Sequence, residues 1–332
     1  MIQKTDWQFP ESQKKSDESP RRVGVEIELQ GIDIFDLSVM VADVLDAELN
    51  RLSSAEYEIA TETFGTFRTE IDFALLQDLA RRREQAFEAS PSQLLDRAVE
   101  LLGDASTLIV PCEVVTPPLP MAELPRVMDP LITRLRQAGA QGTRRSVLFA
   151  FGVHFNVEPS ELTADRVLSY LRAFVCLYDW VVDRGAVDLS RQLTPYIDRF
   201  PKAYELLLAD SGYSPDWPEL IDDYLVHNAT RDRALDMLPM FSHVDERRVK
   251  AIVDNPLIKP RPAFHYRLAN SCVDEPSWSL SDPWNRWVQI ERLASDQDRL
   301  RSCLAAFARD RDRWFSGISK RWVEEVEQWL SL

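Results

Sequence analysis

Glu26 and Glu28 are the first residues of the chain whose types and spacing could do chemistry. They lie in residues 23–29, where apolar and acidic residues alternate. Successive side chains of a β-strand point to opposite faces, so both carboxylates would project from the same face. Two carboxylates in one place repel each other unless a positive group lies between them. The pair therefore indicates a divalent metal site, although a solvent-exposed strand face explains it better when it is taken alone.

Three later strand-like segments repeat this pattern of polar residues on one face. Their residues are, in chain order, Glu70 and Asp72, then Glu113, then His154 and Asn156. Mg²⁺ and Mn²⁺ prefer carboxylate oxygens and tolerate an imidazole. Taken alone, His154 would more often be a buried core histidine, but four such strands in one chain favour the metal site.

A basic segment near residue 265 provides the counterpart to these acidic strands. His265 and Arg267 share one face of a strand predicted over 263–268, with Arg261 just before it. The guanidinium fork suits carboxylate and phosphate oxygens, and a surface ion pair is the alternative interpretation. The ten glycines form no Gly-x-Gly-x-x-Gly and no phosphate-binding loop. A bound nucleotide would therefore depend on metal ions and arginines.

Residues 228–239 combine polar and apolar side chains in a second notable segment. Thr230, Arg231 and Asp236 could form either a turn network or the wall of a substrate site. We interpret this segment as structural.

Composition excludes several classes of function. A net charge of −15 makes nucleic acid a poor partner, because phosphate binding needs a basic surface. Hydrophobic content of 45% and nine Trp indicate a folded protein of one elaborated domain or two. Four widely spaced Cys without a Cys-x-x-Cys pair favour a reducing cytoplasm. The polar start carries no signal peptide pattern, and the most apolar stretch, 168–182, includes Arg172 and Asp179, so we expect no membrane span.

The elements that must position these residues follow from periodicity and from breaker residues. We predict a disordered or loosely attached leader over residues 1–21 and a helical insertion over about 160–255. Strands are predicted over 23–29, 56–61, 66–73, 107–115, 146–157 and 263–268. Helices are predicted over 36–48, on both sides of Ser90-Pro91, over 121–137 ending at Gly139, over 283–308 and over 311–330. This order predicts a mixed α+β sheet with a helical insertion.

In this order the motifs resemble those of the amidoligase family, a branch of the carboxylate–amine ligases that includes glutamine synthetase and glutamate–cysteine ligase. The matching motifs are Gly24-Val-Glu26-Ile-Glu28, Asp72, Glu113-Val-Val-Thr-Pro-Pro118, Gly152-Val-His154-Phe-Asn156 and Arg267. They extend from about residue 22 to at least 290. The resemblance implies a single catalytic domain over 22–332. It also implies a glutamine synthetase-like fold, in which the concave face of a curved, mostly antiparallel sheet holds divalent metals and ATP.

The resemblance also implies roles for individual residues. Metal-ligand positions of the family match Glu26, Glu28, Glu113 and His154, and the phosphate- or substrate-contacting arginine matches Arg267. The chain departs from the family at Asn156, which replaces the second histidine of a His-x-His. It departs again at His265, which replaces a carboxylate metal ligand, and we count His265 among the metal ligands. Arg261, Arg267 and Asn156 are our candidates for ATP contacts.

The implied reaction consumes ATP and requires Mg²⁺ or Mn²⁺. ATP would phosphorylate a carboxylate, and an amine would displace phosphate from the acyl phosphate, with Arg267 stabilising the transferred group. Glu70 or Asp72 would accept the proton of the amine. A metal-dependent hydrolase and a non-catalytic peptide-binding relative are the alternatives. Amino acids, peptides and protein side chains all stay open as substrates, and the oligomeric state is not predicted.

Overall fold

One antiparallel sheet forms the centre of the computed structural model, which describes residues 6–72, 111–143, 151–187, 197–311 and 319–331. Its strands are β1 (Arg22–Leu29), β2 (Glu48–Arg51), β3 (Glu56–Thr61), β4 (Gly65–Ile71), β5 (Cys112–Val115), β6 (Leu119–Pro120), β7 (Gly152–Val157), β8 (Leu235–Asp236) and β9 (Phe264–Asn270). Their order is β2–β3–β4–β5–β1–β7–β9–β8, and β6 pairs with the start of β1. The predicted α+β class with an antiparallel sheet is confirmed.

The helices of the described segments pack against this sheet or against one another. They are α1 (Ile34–Leu45), α2 (Leu124–Gln137), α3 (Ala164–Arg184), α4 (Lys202–Ala209), α5 (Trp217–Asn228), α6 (Leu238–Lys250), α7 (Ser281–Ser295), α8 (Gln297–Arg311) and α9 (Lys320–Val326). Short 3₁₀ turns, Met121–Glu123 and Glu327–Trp329, precede α2 and follow α9. None of these helices combines the length and the apolar character that crossing a membrane requires.

Local sequence explains where several helices begin and end. The side chain of Asp33 accepts a hydrogen bond from the backbone N–H of Phe35 and so caps α1. Gly139, with a φ of +88°, follows α2 and terminates it as predicted. Asp296 is extended and ends α7, while its carboxylate caps α8 by accepting from the N–H of Arg299. The helix predicted over 283–308 is therefore two helices.

The core lies on one side of the sheet. Val25 and Ile27 of β1 are fully buried on that side. Below β7 and β9, Phe155 packs edge-on against Trp284 of α7 with ring centroids 5.6 Å apart. Helix α1 packs against β3 and β4, and α7 packs against α3. The alternation of β1 thus places its apolar residues toward the helices and its two glutamates toward the opposite face.

The segment before β1 differs from the predicted loose leader. Trp7 lies beside Trp284, and its indole N–H donates to the Asp129 carboxylate at 3.1 Å. The backbone of Gln8 exchanges hydrogen bonds with the side chains of Trp284 and Asn285 at 2.8 Å each. Residues 6–21 are therefore tied to α2 and α7, because an aromatic anchor and backbone hydrogen bonds offset the entropy of ordering them.

The predicted helical insertion is confirmed in part, and several predicted elements fall outside the described residues. The block 160–255 is largely helical, but it also contributes β8, which is only two residues long and extends the sheet. The helical region around Ser90-Pro91, the first part of the strand 107–115 and the first part of the strand 146–157 lie outside the described residues.

Candidate active site

A row of carboxylates crosses neighbouring strands on the open face of the sheet. Strand register places Glu56 opposite Glu70, Glu70 opposite Glu113, and Glu113 opposite Glu28. Directly opposed residues of antiparallel strands have Cβ atoms only about 4.5–5.5 Å apart, and like charges in such pairs are destabilising. These four residues, the carboxylate row, therefore form a surface that a cation would stabilise.

Glu26 and two histidines adjoin the carboxylate row. His154 lies opposite Glu26 in the register, and its Nδ1 is 2.9 Å from Glu26 Oε2. Its Nε2 is 3.4 Å from Glu28 Oε1. Burial lowers the pKa of His154, which favours a neutral ring. If Nδ1 donates to Glu26, then Nε2 and the Glu28 carboxylate are two acceptors that face each other, an arrangement that calls for a proton or a metal between them.

His265 of β9 completes a cluster with Glu26 and His154. The two imidazole rings are nearly perpendicular, with centroids 5.3 Å apart. Ligand atoms from the three residues all lie within 4.8 Å of one another. Both ring nitrogens of the buried His265 lack a hydrogen-bond partner among the described residues. We call Glu26, His154 and His265 the imidazole corner.

A β-bulge in β9 contains the arginine of the site. Val153 and Phe155, two residues apart on β7, pair with Ala269 and Tyr266, which are three residues apart on β9. Such a bulge adds a residue and redirects side chains, and bulges are common beside active sites. Arg267 lies within the bulge and lines the same cleft as the carboxylate row.

Arg267 and Arg231 form a cationic end of the cleft. Nη1 of Arg267 donates to the backbone oxygen of Arg231 at 2.9 Å, which joins β9 to the segment before β8. Burial and the charge of Arg267 lower the pKa of Arg231. Two half-buried guanidinium groups that repel each other favour the binding of an anion between them.

The cleft has a volume of about 460 Å³. The carboxylate row, the imidazole corner, Asp72, Arg231 and Arg267 line it together, with Ser53 and Leu257 among the other lining residues. Eight of our predicted site residues line it: Glu26, Glu28, Glu70, Asp72, Glu113, His154, His265 and Arg267.

Asn156 and Arg261, predicted to contact ATP, are not among the residues lining the cleft. Nε of Arg261 donates to Asn156 Oδ1 at 3.0 Å, and Nδ2 of Asn156 donates to Glu26 Oε1 at 2.7 Å. In this structure they form a chain of hydrogen bonds that orients Glu26.

The protonation of the carboxylates differs sharply along the cleft. Burial would raise the pKa of Glu26, but the hydrogen bond from His154 and the nearby His265 ring outweigh burial and hold that pKa well below its usual range. Burial and neighbouring carboxylates raise the pKa of Glu113 well above its usual range. Burial also raises the pKa of Glu70. The site thus combines one carboxylate whose pKa is lowered, Glu26, with two whose pKa is raised, Glu70 and Glu113.

Sequence reasoning missed two contributors to this site, Arg231 and Asp236. Our structural interpretation suits Thr230, whose hydroxyl donates to Asp232 at 2.9 Å, but it is incomplete for Arg231, which lines the cleft. Asp236 is fully buried and lies opposite His265 in the register of β8 and β9. The polar residues of this segment were visible, but their partners in β9 were not.

Comparison with known proteins gives one match. A family model described as "Putative amidoligase enzyme" matches residues 19–289. The matched range includes every cleft residue named above. No curated protein and no solved structure matches the chain significantly.

Proposed function

This chain belongs to the amidoligase family, and we propose that it is an ATP-dependent ligase that joins a carboxylate to an amine. One observation carries the proposal: a single cleft contains a carboxylate row at one end and two arginines, Arg231 and Arg267, at the other. The acidic end is suited to cations and the basic end to anions. A metal–nucleotide complex presents both kinds of charge.

The residues present fit a divalent metal. With Nδ1 of His154 donating to Glu26, its Nε2 faces Glu28 Oε1 at 3.4 Å as a second acceptor. The ring nitrogens of His265 have no hydrogen-bond partner within the part of the chain that the structure describes. Both features favour a cation. Glu28, Glu113 and the imidazole corner would hold it. Bound there, Mg²⁺ or Mn²⁺ would supply positive charge that neutralises phosphate oxygens.

The two arginines would bind and orient the reacting anions. Arg267 is fixed by its hydrogen bond to the Arg231 backbone, so its guanidinium is positioned before substrate arrives. A preorganised donor of this kind stabilises the charge that develops during phosphoryl transfer. In the proposed reaction an oxygen of the substrate carboxylate attacks the γ-phosphorus of ATP and ADP leaves. The amine then attacks the acyl carbon, and phosphate leaves with that oxygen.

Glu70 is the best-placed of the predicted proton acceptors. It lines the cleft between Glu56 and Glu113, and burial raises its pKa. A carboxylate with a raised pKa is a better base for an ammonium group than an ordinary one. Asp72, at the next position on that face, is the second candidate. In this proposal Glu70 takes the proton that the amine must lose.

The decisive experiment follows oxygen from the substrate carboxylate. Purified protein is incubated with ATP, Mg²⁺, an amine panel and amino acid or peptide carboxylates labelled with ¹⁸O. An acyl phosphate requires one labelled oxygen to appear in inorganic phosphate for each amide formed, with ADP in the same amount. Mass spectrometry measures all three products.

Matched variants connect that result to the cleft. Glu113→Gln should abolish label transfer, because it removes one carboxylate from the centre of the row. Glu161→Gln, at an exposed position before α3, should react like the wild-type protein. Release of unlabelled phosphate without amide would instead indicate a hydrolase and would reject the proposed ligation.

A further inference from the structure

We infer that His265 makes the imidazole corner of the proposed metal site prefer a divalent transition-metal ion over Mg²⁺, and that Asp236 is the positioning residue that orients His265 within it. The corner takes Glu26 from β1, His154 from β7 and His265 from β9. The inference rests on the proposed function and deepens it, because these three residues belong to the metal site proposed there. Its evidence is the chemistry and the hydrogen bonding of the corner itself.

The donor set of the corner differs from that of the carboxylate row. Mg²⁺ favours an octahedral shell of oxygens, whereas imidazole nitrogens suit Mn²⁺, Fe²⁺, Co²⁺ and Zn²⁺ progressively better. One ligand atom from each of two imidazoles and one carboxylate lies within 4.8 Å of the other two. The chemistry of the corner therefore selects a transition metal over Mg²⁺.

His265 supplies the second, independent observation. Its side chain is only 5% exposed, and neither ring nitrogen has a hydrogen-bond partner among the described residues. Its Nε2 points toward Glu26 Oε2 at 3.7 Å, too far for a hydrogen bond. Buried polar atoms are nearly always paired, so these nitrogens call for a ligand and a partner.

Asp236 is that partner on the far side of the ring. One oxygen, Oδ1, accepts from the backbone N–H of Leu238 at 2.9 Å, which fixes the carboxylate. The other, Oδ2, is buried, has no hydrogen-bond partner in the described chain and lies 3.6 Å from His265 Nδ1. A shift of a few tenths of an ångström would let Nδ1–H donate to Oδ2. Nε2 would then present its lone pair to the metal, as in the carboxylate–histidine–metal arrangements of other sites.

The test titrates the full-length protein, stripped of metal, with Co²⁺, Mn²⁺ or Mg²⁺ alone and without nucleotide. Calorimetry gives the affinities, and the visible absorption of bound Co²⁺ reports its imidazole ligands. We expect Co²⁺ to bind at least 100-fold more tightly than Mg²⁺, with Mn²⁺ between them.

Four variants assign the metal to the corner. His265→Gln should lower Co²⁺ affinity at least 100-fold and change the Co²⁺ spectrum. Asp236→Asn keeps the acceptor for Leu238 but loses the anionic partner, and it should weaken Co²⁺ by about 10–100-fold. His265→Glu should reduce the preference for Co²⁺ over Mg²⁺. His243→Gln, which removes an exposed histidine of α6, is the matched control and should bind like the wild-type protein.

Several results would overturn the inference. Equal affinities for Co²⁺ and Mg²⁺, or an unchanged Co²⁺ spectrum in folded His265→Gln, would reject the transition-metal site. Wild-type affinity in Asp236→Asn would reject the positioning role. Because the titrations contain no nucleotide, they are independent of ligation: amide formation without selective Co²⁺ binding rejects this inference alone, and selective binding without amide formation rejects the proposed function alone.

Discussion

Glu26 connects the separate parts of the site at the scale of single residues. Its Oε1 accepts from Asn156 and its Oε2 faces His154, while His265 lies slightly farther away. Both oxygens are therefore oriented before any ligand binds, and the low pKa of Glu26 keeps the group ionised. A carboxylate held in this way loses little further freedom when it binds a cation, which favours affinity.

Arg231 gives the clearest test at this scale. Arg231→Gln should lower kcat/KM for ligation by about 10²–10³-fold, the range for loss of one preorganised charge-stabilising donor. The physical reason is that Arg267 would then face the substrate anion alone. Steady-state kinetics measures the effect, and Arg301→Gln, at an exposed position on α8, is the control. An unchanged kcat/KM in Arg231→Gln would remove this residue from the binding site.

At the scale of elements, antiparallel register assembles the site. Each strand contributes one or two polar residues, and pairing aligns them into the carboxylate row and the imidazole corner. The sheet is held from below by α7, whose Trp284 and Trp287 pack under β7 and β9. The packing of α7 therefore supports the strands that carry His154 and His265.

A buried ion pair attaches α7 to the start of β1. Both side chains of the pair, Arg21 and Glu291, are at most 1% exposed, and two N–H···O contacts of 2.8 and 2.9 Å join them. Tyr170 of α3 and Trp287 of α7 also donate to Glu291. This arrangement satisfies a charge that lies far from water, and it links β1, α3 and α7.

Breaking that pair should be costly. Glu291→Gln leaves the Arg21 guanidinium buried without a counter-charge, and we expect the free energy of unfolding to fall by about 3–5 kcal/mol. Urea unfolding followed by tryptophan fluorescence measures the change. Glu246→Gln removes a glutamate that is paired with Lys250 at the surface, and it should change stability by less than about 1 kcal/mol. Similar stability for the two variants would contradict the role of the buried pair.

At the scale of the whole molecule, the sheet separates an apolar side from a strongly acidic cleft. The apolar side carries the core, while the cleft concentrates carboxylates in a protein whose net charge is already −15. Folding brings these carboxylates together, and unfolding separates them. The folded protein therefore carries a repulsion that the proposed cation would reduce.

Metal binding should accordingly stabilise the whole fold. A free metal concentration 100 times the dissociation constant adds about 2.7 kcal/mol to the free energy of unfolding. A chelator should reverse the increase, and Glu26→Gln should abolish most of it. Thermal unfolding with and without metal measures both effects, with Glu161→Gln as the control that keeps the full increase. If the unfolding temperature of the wild-type protein does not change when metal is added, the proposed metal site is wrong.

Local alternation was sufficient to identify much of the site. Glu26 and Glu28 were assigned to one face because strand side chains alternate with a period of two residues, and the same rule placed His154 and Arg267. The boundaries of β3 and the end of α2 also followed from nearby residues, including Gly139. These features depend only on neighbours in the chain, so a single sequence contains the information needed to predict them.

The partners of these residues were decided by the tertiary structure. Nothing near Asp236 indicates that it lies against His265, and nothing near Glu113 indicates that it lies between Glu28 and Glu70. Such pairs lie on strands that are distant in the chain. The register of these strands is set by the backbone hydrogen bonds of the whole sheet and by the bulge in β9. The alternation of side chains along a strand determines which face of the sheet a carboxylate occupies, whereas strand pairing determines which side chains lie next to it.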